Sequence, residues 1–161
     1  MPNRTITTNI VAALAAGLFL ICPVSAEQQA MKIPTFSLQS PAGETVHLPT
    51  YIGKKPVLLV FWATWCPFCR TAVPRLNRID AAGKVQIIAI NVEESRSKVT
   101  SFITKNNITY PVVLDPDGKT ANAYHVPGVP AYVVVNTAGR IVYRGESFPE
   151  SISEDANNSM Q

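Results

Sequence analysis

Two cysteines three residues apart, Cys66 and Cys69 in FWATWCPFCR (residues 61–70), are the side chains of this 161-residue chain whose type and spacing promise chemistry. Thiols so placed can hold a metal, close a small structural loop, or exchange a disulfide with another protein. A bridge across so short a loop constrains the unfolded chain little, which makes a purely structural disulfide the weakest of the three. Zinc normally takes four ligands, and the only histidines, His47 and His125, are isolated in sequence. Copper(I) accepts lower sulfur coordination, so a thiolate copper protein stands as the alternative from another class. Haem attachment is disfavoured because Arg70, not histidine, follows Cys69. Redox exchange with protein thiols and disulfides, with no cofactor and no metal, is the favoured reading.

Exchange needs a thiolate, and position decides which cysteine supplies it. The unbroken apolar run Val57 to Ala63 suits a strand buried on both faces, and the residues after the cysteines carry Val73, Leu76 and Ile79 at helical spacing, with Gly83 as a stop. Cys66 therefore falls at a helix start, where free backbone N–H groups and the positive end of the dipole stabilise an anion. It is expected to be exposed, ionised and nucleophilic. Pro67 has no N–H to leave unpaired in the first turn. Cys69, a turn later and more buried, is expected to resolve the mixed disulfide. Arg70 either adds positive potential or is simply solvated, and Pro74 interrupts the helix ladder.

The other elements follow from period and punctuation. Two short strands flank the turn Ser40 to Gly43, VQIIAINV is a second buried strand, and SRSKVTSFITKNN is a helix ending at Asn106-Asn107. YPVVLD is a strand, Asp115 to Gly118 a turn, and KTANAYH a short helix. A hairpin closes the pattern, with strands Ala131 to Val135 and Arg140 to Tyr143 around Asn136 to Gly139. Alternating strands and helices followed by a hairpin imply an α/β sandwich with a mixed sheet, in one domain.

The amino end points to export. Residues 10–24 form an apolar run of 15, short of the ~20 a membrane span needs, and Val24-Ser25-Ala26 places small residues before Glu27. Residues 1–26 are read as a cleaved signal peptide, with an uncleaved anchor as the alternative, and residues 27–161 as the mature domain. Cleavage near Ala26 removes Cys22 and leaves two cysteines in a periplasmic or otherwise extracytoplasmic, disulfide-permissive setting. Losing Arg4 lowers the formal net charge from +3 to +2, a balance that argues against nucleic-acid or membrane-surface partners. A monomer is expected.

VLLVFWATWCPFC, a following helix containing VP, IIAINVEES, YPVVLDPDG and YHVPGVPAYVVVNTAGRIVYR together resemble the TlpA/ResA-type extracytoplasmic thioredoxins, over residues 33–145. The resemblance implies a thioredoxin fold with an amino-terminal hairpin and an inserted strand-helix element near residues 91–107. It implies a cis-proline, Pro130, beside the cysteines, with the Val129 backbone pairing with a partner chain. It also implies a reductase served by a membrane electron donor, in a role such as cytochrome c maturation. Trp65, Pro67 and Phe68, together with Val129 and Pro130, are read as partner contacts, and Trp62 as core.

Three departures from the family pattern matter. Ala72 stands where reductases of apocytochrome c carry glutamate, and Val60 where ordinary thioredoxins carry aspartate. Water, or Glu93 or Glu94, would then move protons, although both glutamates read as a solvated helix start. Residues 148–161 offer few large apolar side chains, which suggests a short helix or a disordered tail. Ala72 and Val129 also keep the opposite role open, that of an oxidase donating disulfides. Phe68 brings neither charge nor hydrogen bond to the dipeptide between the cysteines, so an intermediate potential is expected.

Overall fold

The computed structural model describes residues 33–150 and 152; the expected signal peptide, residues 1–26, and most of the tail lie outside them. Strands β1 (Ser37–Gln39) and β2 (Thr45–His47) pair antiparallel through a turn in which Gly43 takes a φ of 94°. Then come β3 (Val57–Trp62), α1 (Pro67–Ala82), β4 (Gln86–Val92), α2 (Arg96–Asn106), β5 (Val112–Asp115), α3 (Lys119–Ala123), β6 (Ala131–Val135) and β7 (Ile141–Gly145).

The five later strands form one sheet in the order β5, β4, β3, β6, β7. Parallel pairing joins β3 to β4 and β4 to β5, and antiparallel pairing joins β3 to β6 and β6 to β7. All six residues of β3 are buried, the pattern of a strand covered on both faces. Residues 91–107 hold the end of β4 and helix α2, and the insertion then continues into β5, which adds an edge strand to the sheet.

Alternation along β3 divides the core in two. Leu58, Val60 and Trp62 face a layer with Cys66, Cys69 and Leu76 of the α1 region and Val99 of α2. Val57, Leu59 and Phe61 face the other layer, with Ala121, Tyr124 and the amino-terminal segment's Ile33, Phe36 and Leu48. The Tyr124 hydroxyl donates to the Pro34 carbonyl at 2.6 Å, and Arg96 donates from α2 to the carbonyls of Ser40 and Pro41, so the hairpin is fastened at two places.

Helix ends explain why the elements stop where they do. Gly83 ends α1 with a left-handed φ of 67°, as its place in the sequence predicts. Asn107 plays the same part for α2 at 50°. Asp115, fully buried at the end of β5, accepts hydrogen bonds from the Thr120 and Ala121 N–H groups at 3.1 and 2.8 Å and so satisfies the start of α3. Beyond β7, Phe148 stacks on Tyr132 and lies under the Arg75 guanidinium, and Ile152 is buried in the cysteine-bearing layer.

Candidate active site

The sheet delivers β3 directly into the turn Ala63 to Trp65, and α1 begins at Pro67 with Cys66 as its cap. Cys66 and Cys69 form a disulfide, with Cα atoms 5.3 Å apart. The Cys69 N–H donates to Cys66 Sγ at 3.2 Å, which places one of the helix's free donors on the sulfur. The same donor is positioned to stabilise a thiolate at Cys66 once the bridge opens.

One expectation is corrected here. Cys66 is not the exposed member of the pair, because Cys66 is 2% and Cys69 5% exposed. In the bridged form both sulfurs turn toward the layer containing Trp62 and Leu76. The outward positions go to the neighbours, Trp65 at 62% and Phe68 at 74% exposed. Trp62 is core as expected, stacked at 5.0 Å on Phe102 of α2. Pro67 occupies the first position of α1 and is exposed.

The Val129–Pro130 peptide bond is cis. Grooves flank it on both sides. One, of about 540 Å³, is lined by Phe68, Ala72, Arg75, Val129 and Pro130; the other, of about 430 Å³, by Trp65, Glu93, Gly118, Pro127 and Val129. Val129 thus forms the ridge between them. Of the residues expected to meet a partner, Phe68 shares a groove with Val129 and Pro130, Trp65 shares the other with Val129, and Pro67 is exposed at the start of α1. In the second groove Gly118 has a left-handed φ of 66°, a backbone conformation that favours glycine.

A second expectation also fails. Glu94 is not a solvated helix start, for its side chain is only 4% exposed. Its carboxylate accepts from the Thr64 N–H at 2.6 Å, the Thr64 hydroxyl at 2.7 Å and Asn91 Nδ2 at 2.8 Å, and pairs with Lys98 at 2.7 Å. Burial alone would raise its pKa, but the hydrogen bonds from Asn91, Lys98 and Thr64 outweigh that and hold it at about 2. A group so acidic stays ionised and takes up no proton near neutral pH. Thr64 is also held from the helix side, where Arg70 Nε donates to its carbonyl at 2.9 Å. Arg70 is therefore more than a free surface cation.

Neither Thr64 nor Glu94 stands out from composition or spacing. The available signal was NVEES itself, two carboxylates closing a buried strand with Lys98 four residues after the second. Below this network the buried atoms Trp62 Nε1 and Asn91 Oδ1 have no hydrogen-bond partner among the described residues. His47 is occupied by the Ser37 hydroxyl at 2.7 Å, and among the described residues no three His, Cys, Asp or Glu side chains gather as a metal site.

The AhpC/TSA family matches residues 30–144. Among curated relatives, the thioredoxin-like protein YneN of Bacillus subtilis (strain 168) is 34% identical over 119 residues, covering 71% of this chain and 69% of its own. The thiol-disulfide oxidoreductase ResA of the same organism is 34% identical over 113 residues, covering 68% of this chain and 62% of its own length. A solved structure described as a secreted Mycobacterium tuberculosis disulfide oxidoreductase homologous to E. coli DsbE superposes with a TM-score of 0.67 at 26% identity, covering 76% of this chain and 95% of that one.

Proposed function

We propose, from the premise that this chain belongs to the AhpC/TSA family and is a thiol-disulfide oxidoreductase of the ResA and DsbE type, that it is an exported monomer that reduces disulfides in other proteins. The observation that carries the reading is the Cys66–Cys69 bridge at the start of α1, flanked in sequence by exposed Trp65 and Phe68, with Phe68 sharing a groove with Val129 and Pro130.

In the reducing direction the Cys66 thiolate attacks one sulfur of a partner disulfide, forming a mixed disulfide and expelling the partner's first thiolate. Cys69, deprotonated in turn, attacks Cys66 Sγ and expels the partner's second thiolate. Two electrons pass to the partner, and the Cys66–Cys69 bridge that remains is reduced again by a membrane electron donor. The Val129 backbone pairs with the extended partner chain as an added strand, and the two grooves receive the side chains on either side.

Export is supported by the Val24-Ser25-Ala26 pattern after a short apolar run, and by the similarity to a secreted Mycobacterium tuberculosis disulfide oxidoreductase. The opposite role, donation of disulfides, is favoured by Ala72, which leaves its part of the groove without a carboxylate, and by Val129 ahead of Pro130.

Trapping tests the reading. Cys69→Ala in the exported protein is expected to leave partners bound to Cys66 as mixed disulfides, which separate on reduction; a variant that captures nothing while the Cys66→Ala variant captures partners would reverse the assignment of nucleophile. The potential tests direction: equilibrium with glutathione is expected to place it between about −270 and about −120 mV. A value at or above the upper limit makes disulfide donation the better reading.

A further inference from the structure

We propose that Glu94, thirty residues from Thr64 in sequence, is the positioning residue of the cysteine turn and sets the balance between the dithiol and the disulfide. The inference rests on the exchange chemistry proposed above. It concerns a group that touches neither sulfur.

The turn between β3 and α1 has few residues with which to hold Cys66 in place. Thr64 bears most of the load. Both of its donors go to the two oxygens of one carboxylate, Thr64 N–H to Glu94 Oε2 at 2.6 Å and Oγ1 to Glu94 Oε1 at 2.7 Å. Its carbonyl accepts from Arg70 Nε in the first turn of α1. The Ala63 carbonyl beside it accepts the Cys66 N–H at 3.2 Å. Glu94 is itself fixed by Asn91, a fully buried residue paired with Trp62 where β3 ends against β4. The carboxylate therefore links the last rung of two central strands to the peptide just ahead of the nucleophile. Hydrogen bonds to a charged, buried acceptor are the strong kind, and two donated by one residue fix orientation as well as distance.

The same group is a permanent negative charge held against Thr64, two residues before Cys66. The helix start favours a Cys66 thiolate, and the Glu94 carboxylate opposes it, with Lys98 at 2.7 Å partly cancelling that opposition. Because the dithiol form is the one that carries the thiolate, Glu94 favours the disulfide and makes the reduced protein the stronger reductant. Val60 and Ala72 bring no charge of their own, and Glu94 supplies one from a different element.

The test is the equilibrium of the full mature protein with glutathione, in which the protein disulfide plus two glutathione thiols gives the protein dithiol plus glutathione disulfide. Glu94→Gln keeps an acceptor for Thr64 and removes the charge; it is expected to shift this constant about tenfold toward the dithiol, a rise of about 30 mV. Lys98→Met, at a side chain 55% exposed, leaves the carboxylate unscreened and is expected to shift it about threefold the other way. Opposite signs from two neighbouring substitutions cannot come from general loosening of the fold. Constants within twofold of the unsubstituted protein for both variants, or shifts of the same sign, overturn the proposal. If Glu94→Gln does not fold, the Lys98→Met result decides alone. Failure of the unsubstituted protein to exchange with glutathione would instead remove the exchange chemistry itself.

Discussion

The two faces of β3 are built to different standards. Toward Val57, Leu59 and Phe61 the packing is closed and its polar groups are paired, with Leu48, Tyr124, Ile88 and Val133 fully buried, the Tyr124 hydroxyl satisfied by Pro34 and the buried Asp115 carboxylate by the Thr120 and Ala121 N–H groups. Toward Leu58, Val60 and Trp62 lie the cysteines, the Glu94 carboxylate, and two buried polar atoms without partners among the described residues. A sheet with both faces covered can let one carry most of the stability while the other holds groups whose charge or bonding must change. The difference teaches that reactivity in this fold sits on one side of a single strand, one residue out of phase with the side that holds the molecule together.

That division can be broken most severely at the sulfur itself. Cys66→Ser is expected to abolish disulfide exchange entirely while the protein still folds, as followed by insulin-type reduction assays alongside urea unfolding. Next in size is the quiet face: Phe61→Ala should cost about 3–5 kcal/mol of unfolding free energy, yet leave the glutathione equilibrium of the folded protein within twofold. An equal disturbance of the equilibrium would show that the two faces are coupled.

Acid sharpens the comparison. The Glu94 pKa is depressed to about 2 from an ordinary 4.5, so its stabilisation is fully present above pH 4.5 and is lost as the pH falls from there toward 2. A loss of about 2 kcal/mol is expected over that range, the worth of hydrogen bonds to a charged group, read from melting temperatures between pH 6 and pH 2.5. In Glu94→Gln that part of the profile should flatten. The smallest effect belongs to the quiet face again. Tyr124→Phe gives up one hydrogen bond, about 1 kcal/mol, with exchange unaltered.

What could be read from the sequence was what local rules decide. The buried run 57–63 has no polar residue to place on a wet face, so it had to be a central strand, and Gly83 stops α1 because left-handed backbone suits glycine. The cysteine pair was legible for the same reason, lying where strand signal gives way to helix signal. Glu94 was not, because its partner is chosen by the register of β3 against β4, which sets Trp62 beside Asn91 and brings a residue thirty positions away onto Thr64. Local pattern describes NVEES as the polar end of a strand, and only tertiary pairing buries one of its two acids. The exposure of Cys66 was misjudged because helix position fixes where its backbone lies, whereas closing the bridge fixes where its sulfur points.

The placement of the two tryptophans has an optical consequence. The chain has only two, Trp62 at 4% and Trp65 at 62% exposure, on either side of the turn that leads to the sulfurs. Emission is thus the sum of a blue component from an indole sealed against Phe102 and a red component from one in water. Iodide reaches only the red one. Trp65 adjoins Cys66, so opening the disulfide alters the brightness of the quenchable fraction most directly, and the difference between spectra with and without iodide reports the redox state of the pair without any added label.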